Sequence, residues 1–193
     1  MVIFLYQLAL PPNDQKLFIL SNATIPAHIT AFLGGHVGLE AAFLPLLTSM
    51  FLHSGFLHLA GNMLFLWIFG DNVEDFFGHV PYLFFYLACG VGAGLLHVLF
   101  NLHSNVPALG ASGAISGVMG SYILLYPRAQ VLTLVFIFPL PVPAVIFLGL
   151  WYVMQFLSGI NALGVGASGG VAWWAHIGGF LLGMLLTGMS RRR

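Results

Sequence analysis

The stretch YLFFYLACGVGAGLLHVLF, Tyr82–Phe100, contains no Lys, Arg, Asp or Glu. Its length is close to the roughly 20 apolar residues that carry a helix across a bilayer. Working outward, Leu102 to Leu109 is a short connection, and Gly110 to Tyr126 is a further span ending at Pro127-Arg128. Pro139, Pro141 and Pro143 break the next apolar run, which predicts a fifth span from about Ala144 to Ser158. Asn161 to Gly170 is a Gly-rich loop, and Val171 to Ser190 is a sixth span, followed by Arg191, Arg192 and Arg193. Upstream, Leu46 to Phe69 is apolar enough for a second span, with Asp71, Glu74 and Asp75 marking its exit into water. Pro11 to Pro45 mixes Asn13, Asp14, Lys16, His28, His36 and Glu40 with Phe and Leu. It reads as a large loop with short amphipathic pieces in the membrane interface. Met1 to Leu10 is apolar but half a span long, lacks signal-peptide features, and reads as the truncated end of a first helix. The chain is therefore expected to be an all-α, polytopic membrane protein of six transmembrane helices, with residues 1–193 as one domain.

Composition leads to the same class. Of 193 residues, 60% are hydrophobic and 5% charged, and the mean hydropathy is +1.00. A soluble domain carries about 25% charged residues, so five Lys/Arg and five Asp/Glu cannot cover a water-facing surface. Zero net charge gives no reason to expect nucleic acid as a partner. The single Cys89 forms no internal disulfide and says nothing about redox compartment. The positive-inside rule places the terminal Arg triplet in the cytoplasm, and counting spans backwards puts Arg128 on the same side. The starts of the fourth and sixth spans then face the non-cytoplasmic side.

Strongly polar residues inside spans are costly and are functional candidates by default. Four stand out: His58 and Asn62 in the second span, Ser112 at the head of the fourth, and His176 near the head of the sixth. Ser112 sits in Gly110-Ala111-Ser112-Gly113, where flanking glycine leaves the hydroxyl uncrowded. A helix start there offers unpaired N–H groups to a developing oxyanion. Taken alone, the serine reads first as a helix N-cap or a small packing residue. His176, Gly179 and Gly183 share one helical face, and Gly113 and Gly117 form a matching small-residue stripe. Two such faces allow close approach in a membrane and could bring the imidazole to the serine hydroxyl. No intramembrane Asp is available as a third member, so a Ser/His pair must suffice. His58 and Asn62, spaced i,i+4, share a face and could serve as oxyanion donors or as interhelical hydrogen-bonding glue. His53 is five residues earlier and reads as structural or interfacial. Ser168 in Gly166-Ala167-Ser168-Gly169-Gly170 nearly copies the surroundings of Ser112, but a flexible loop gives a nucleophile no rigid support.

His58-Leu59-Ala60-Gly61-Asn62, Gly110-Ala111-Ser112-Gly113 and Ala175-His176-Ile177-Gly178-Gly179, in this order, resemble the rhomboid family of intramembrane serine proteases. Gly70 to Gly78, containing Val73-Glu74, resembles the family's turn after the second helix, and the likeness covers the chain from about Pro45 onward. The resemblance implies a rhomboid-like six-helix bundle with Ser112 as nucleophile, His176 as general base, and His58 with Asn62 as oxyanion donors. It implies a water-filled cavity open to the non-cytoplasmic side, single-span membrane proteins as substrates, and neither metal nor cofactor. Two features depart from the family. The large loop lacks the Trp-Arg pair of several relatives, and the position four after the nucleophile is Ser116 rather than an aromatic residue. Support for His176 must then come from elsewhere, with Trp173 or Trp174 as candidates. Two rival readings are a catalytically inactive relative that binds membrane clients and a small transporter. The latter lacks visible repeats and paired broken helices, and the His spacing gives no metal motif.

Overall fold

The computed structural model describes residues 1–165 and 171–191. Ser168 lies outside the described residues. Ten α-helices and one two-stranded ribbon occur in the described part. Five short helices come first: α1 (Val2–Ala9), α2 (Pro12–Asn22), α3 (Pro26–Leu33), α4 (Leu39–Phe43) and α5 (Pro45–Thr48). They are followed by α6 (Phe56–Phe77), α7 (His79–Phe100) and α8 (Ser112–Leu125). Strands β1 (Gln130–Val135) and β2 (Phe138–Pro143) then lead to α9 (Ala144–Val165) and α10 (Trp173–Ser190). The fold is mostly helical, but the all-α expectation is corrected by the ribbon. Alternating prolines rule out a helix at 138–143, yet they are tolerated in an edge strand.

By length and composition, α7 and α9 can each cross a membrane, and a third span exists if the bent pair Leu39–Phe51 and Phe56–Phe77 is counted as one. The expected second span is thus shifted. Its helix starts at Phe56, after a 78° bend, and continues through Asp71, Glu74 and Asp75 instead of ending before them. His53-Ser54-Gly55 breaks the chain direction, and Gly78, at φ 79°, ends α6 and begins α7. The fifth helix is also longer than expected, running to Val165 rather than Ser158. The eight residues of α1, about 12 Å long, are helical as expected but do not span.

At the centre lies α8, buried along Gly113–Tyr122 and flanked by α6, α7, α9 and α10. Its closest neighbour is α10, and the reason is steric. A Cβ on Gly179 would overlap the Gly113 carbonyl, and one on Gly183 would overlap the Gly117 carbonyl. The two backbones therefore touch along the glycine faces anticipated from the sequence. Buried polar groups add to the seam. The Thr187 hydroxyl donates to the Gly183 carbonyl at 2.7 Å and lies 2.7 Å from the Ser121 hydroxyl. Arg191 donates to the Leu124 carbonyl at 3.0 Å, so the two helices also end together. Below this seam, Phe69, Val73, Cys89, Val118, Met119, Leu148 and Phe180 form the main core. Around the outside, Trp67, Phe84, Leu99, Leu150 and Leu185 are exposed, a surface suited to lipid rather than water.

The region before α6 packs over one end of the bundle. Thr24 and Ala108 exchange backbone hydrogen bonds at 2.9 and 2.8 Å, and Thr30 donates to the Leu102 carbonyl at 2.6 Å. Gly110 donates to the Ser49 carbonyl at 2.9 Å. The short helices of this region thus hold the 101–110 connection that leads into Ser112.

The seam makes a stability prediction. Gly183→Ala must push α8 and α10 apart and should cost about 1–3 kcal/mol, the usual range for overpacking. Gly188→Ala on the same helix meets nothing within 4 Å and should be neutral or mildly stabilising. Thermal unfolding of the two variants in detergent separates the cases, and equal melting temperatures would contradict the contact.

Candidate active site

Ser112 is the first residue of α8, and His176 lies in the first turn of α10. Because the glycine faces align the heads of the two helices, His176 Nε2 comes to 2.8 Å from Ser112 Oγ. The opposite ring nitrogen, Nδ1, lies 2.8 Å from Gln155 Oε1 on α9. An amide oxygen only accepts, so Nδ1 carries the proton and Nε2 is left as the acceptor facing the serine. Gln155 is buried, and it escapes a sequence reading that looks for an acidic third member. A glutamine inside an otherwise apolar span was the available signal.

The aromatic support for His176 is shared. Trp173 meets the imidazole edge-on with centroids 6.4 Å apart, as one of the two expected candidates would. Trp151, on α9 one turn before Gln155, lies tilted against it at 5.9 Å. The other candidate, Trp174, instead stacks on Phe100 at 3.7 Å. Ser116, which occupies the position expected to carry an aromatic, turns back into its own helix and donates to the Ser112 carbonyl at 2.6 Å.

The second pair approaches from α6. The Ser54 backbone N–H points at His58 Nδ1 at 3.3 Å, and the Ser54 hydroxyl is 3.0 Å from the same atom. Nδ1 is therefore an acceptor, and Nε2 carries the donor proton of His58. Asn62 is buried, and its Nδ2 has no hydrogen-bond partner among the described residues. Gly110 shows where these donors point. A Cβ there would fall 2.8 Å from His58 Nε2 and 3.8 Å from Asn62 Nδ2, and the residue sits at φ 121°. Only glycine satisfies both the space and the backbone conformation. Two side-chain donors thus converge beside the chain leading to Ser112, whose own N–H is unpaired by the geometry of a helix start.

All four residues singled out from the sequence line one cavity of about 630 Å³. His97, Asn101 and Ser104 give it further polar wall, while Phe65, Met119 and Val171 give apolar wall. His53 is elsewhere: its ring is buried behind that of His58, 5.2 Å away edge-on, and packs on Phe4. Its carbonyl accepts a hydrogen bond from Gln7 at 2.9 Å, while neither ring nitrogen has a hydrogen-bond partner among the described residues. Among the described residues there is no group of three His, Cys, Asp or Glu able to hold a metal ion.

Residues 40–193 match the family described as Rhomboid domain. The chain is 34% identical over 144 residues to Rhomboid protein 1, mitochondrial, of Saccharomyces cerevisiae, covering 71% of this chain and 39% of that one. It is 37% identical over 141 residues to RHOMBOID-like protein 6, mitochondrial, of Arabidopsis thaliana, covering 73% and 41%. Rhomboid protease GluP of Bacillus subtilis is 42% identical over 89 residues, 45% of this chain and 17% of that one. The chain thus spans about two fifths or less of the length of these relatives. With the family match covering most of its length, the chain belongs to the rhomboid family of integral membrane proteins.

Proposed function

We propose that the chain is an intramembrane serine endopeptidase that cuts single-span membrane proteins through a Ser112/His176 dyad. The observation that carries this reading is the 2.8 Å contact between His176 Nε2 and Ser112 Oγ, with the histidine tautomer fixed from behind by Gln155. A histidine held only as structural glue would not need its second nitrogen directed at a hydroxyl at a helix head.

The chemistry follows from the proton positions. Ser112 Oγ attacks the scissile carbonyl carbon while His176 Nε2 takes its proton. Negative charge moves to the carbonyl oxygen, where His58 Nε2–H, Asn62 Nδ2–H and the Ser112 N–H can donate to it. His176 then returns the proton to the leaving amine as the C–N bond breaks. Water drawn through the polar wall of the cavity hydrolyses the acyl-enzyme with His176 again as base. Gln155 holds Nδ1–H throughout but, being neutral, offers the imidazolium a dipole rather than a charge. No step calls for a metal or a cofactor. In the membrane, this reading takes α6 to α10 as five of the six spans of a rhomboid-like bundle, α1 being too short to be the other, in one domain over residues 1–193 with the C-terminus cytoplasmic. The cavity then opens to the non-cytoplasmic side. An inactive client-binding relative would have no use for a paired nucleophile and base. A transporter would have no use for an unpaired donor cluster beside a serine.

Ser112→Ala should abolish cleavage of a reconstituted single-span substrate, and His176→Ala should do so about as completely. The double variant should be no worse than either, since members of one catalytic unit are strongly non-additive. Independent, multiplying losses would contradict the dyad.

Gln155→Leu preserves bulk but frees the imidazole to rotate and change tautomer. We expect a rate loss of about ten- to a hundred-fold, below the roughly 10⁴-fold seen when a charged orienting Asp is neutralised in a serine protease triad. Gln155→Glu keeps the acceptor and should retain more activity than the leucine variant. Equal rates for the two would assign Gln155 to packing alone.

Asn62→Ala removes one oxyanion donor and should lower turnover by about ten- to a thousand-fold. Labelling of Ser112 by a small electrophilic probe should continue, though more slowly. A large fall in melting temperature with near-normal turnover per folded molecule would make Asn62 interhelical glue instead.

A further inference from the structure

The ribbon between α8 and α9 has a composition that water cannot favour. Strands β1 and β2 pair antiparallel, from Gln130 opposite Pro143 to Val135 opposite Phe138, and are joined by Phe136 and Ile137. Two-residue hairpin connections normally use Gly, Asn or Asp, because a positive φ is needed and the tip is solvated. Here Phe136 adopts φ 55°, and the two tip side chains are 93% and 80% exposed. Along one face of the ribbon, Leu132 and Leu134 are 71% and 70% exposed, beside exposed Pro141 and Pro139. The opposite face turns toward the bundle at its root, where Val131 is buried and Thr133 and Val142 are half-buried, while Leu140 and Phe138 farther along it are exposed.

We propose that this ribbon is an interfacial membrane anchor. It sits at the headgroup boundary of the bilayer that holds the helices, its Val131 side against the bundle and its Leu132/Leu134 face and Phe136-Ile137 tip directed outward into lipid. Three observations select lipid over other occupants. First, the ribbon is continuous with the bundle: α8 ends five residues before β1, and α9, long and apolar enough to span, starts directly after β2. Its strands, about 20 Å long, therefore leave the bundle where the helices reach one membrane surface.

Second, the register places every proline of β2 opposite Gln130, Leu132 or Leu134. A proline cannot exchange two hydrogen bonds, so these are the wide pairs, and the position of the missing N–H faces outward. The outer edge of β2 offers no donor at 139, 141 or 143. Another copy's strand cannot add there by a regular ladder, and no N–H on that edge needs water. The outer edge of β1 keeps the N–H groups of Leu132 and Leu134, which must meet water or headgroups. That places the ribbon in the interface rather than in the hydrocarbon core.

Third, exposed Arg128 stands two residues before β1, and exposed Arg191 is tied to Leu124 at the end of α8. Cations at the root with an apolar tip and face are the charge pattern of an interfacial element. The proposal is independent of whether Ser112 is a nucleophile.

The test is depth measurement in proteoliposomes. Ile137→Cys carries an environment-sensitive fluorophore, the native Cys89 being buried. Met154→Cys, exposed near the middle of α9, is the deep reference. At 137 we expect blue-shifted emission, quenched more by lipids with a nitroxide near the headgroup than by lipids with one near the chain end. Aqueous iodide should have little effect. Residue 154 should show the opposite lipid preference. Efficient iodide quenching at 137 with no lipid quenching would put the ribbon in water and overturn the proposal. Emission at 137 that depends on the protein-to-lipid ratio, with disulfide crosslinking of unlabelled Ile137→Cys, would give the surface to a second copy and overturn it equally.

Discussion

Everything at the centre of this molecule depends on how closely α8 and α10 approach. Gly179 and Gly183 meet the carbonyls of Gly113 and Gly117, so the interhelical distance is set by backbone rather than by side chains. In lipid there is no hydrophobic force to draw helices together, and packing of this kind must supply much of the association. The same contact fixes longitudinal register, because each glycine faces one particular carbonyl. Register in turn brings residue 112 to the level of residue 176. A shift of one turn, about 5.4 Å, would separate the hydroxyl and the imidazole beyond any hydrogen bond.

Around that axis, the remaining parts of the site are positioned by different kinds of force. Gln155 reaches His176 from α9, a helix that packs on α8 far less extensively than α10 does. His58 and Asn62 come from α6, whose start follows the sharp bend at His53-Ser54-Gly55. Their convergence beside Gly110 is secured by hydrogen bonds from the loop segment, notably Gly110 N–H to the Ser49 carbonyl. Thr24 strengthens this clamp by donating to the Pro45 carbonyl, with the Ser49 hydroxyl 3.0 Å away. The polar loop is therefore part of the site's support, and not only a connection between helices.

The features legible in the sequence are periodic or compositional. The glycine faces follow the helical repeat, and they are enough to anticipate that residues 112 and 176 meet. The long apolar runs locate α7 and α9, with boundaries displaced where no strong breaker stands. The start of α6 is not legible because Leu46–Phe51 is as apolar as the helix after it, and hydropathy does not report a bend. Gln155 is passed over because amide residues give no charge signal. The ribbon is hidden for a related reason: proline spacing announces the end of a helix but does not distinguish a loop from an edge strand.

The position of the ribbon gives it a consequence for the site. It joins the helix that carries Ser112 to the helix that carries Trp151 and Gln155. The end of α8 and the start of α9 are thus tied through β1, its tip and β2, while the head of α8 and the middle of α9 meet at the imidazole of His176. A free loop of that length would let α9 move with little restraint from its lower end. An antiparallel ribbon fixes the separation of its two roots, since Ala144 N–H donates to the Ala129 carbonyl and Val145 N–H to the Pro127 carbonyl. Gln155, eleven residues along α9 from that root, is thereby placed from an end whose separation from α8 is fixed. The element that looks most peripheral therefore helps to place Gln155 behind the His176–Ser112 contact.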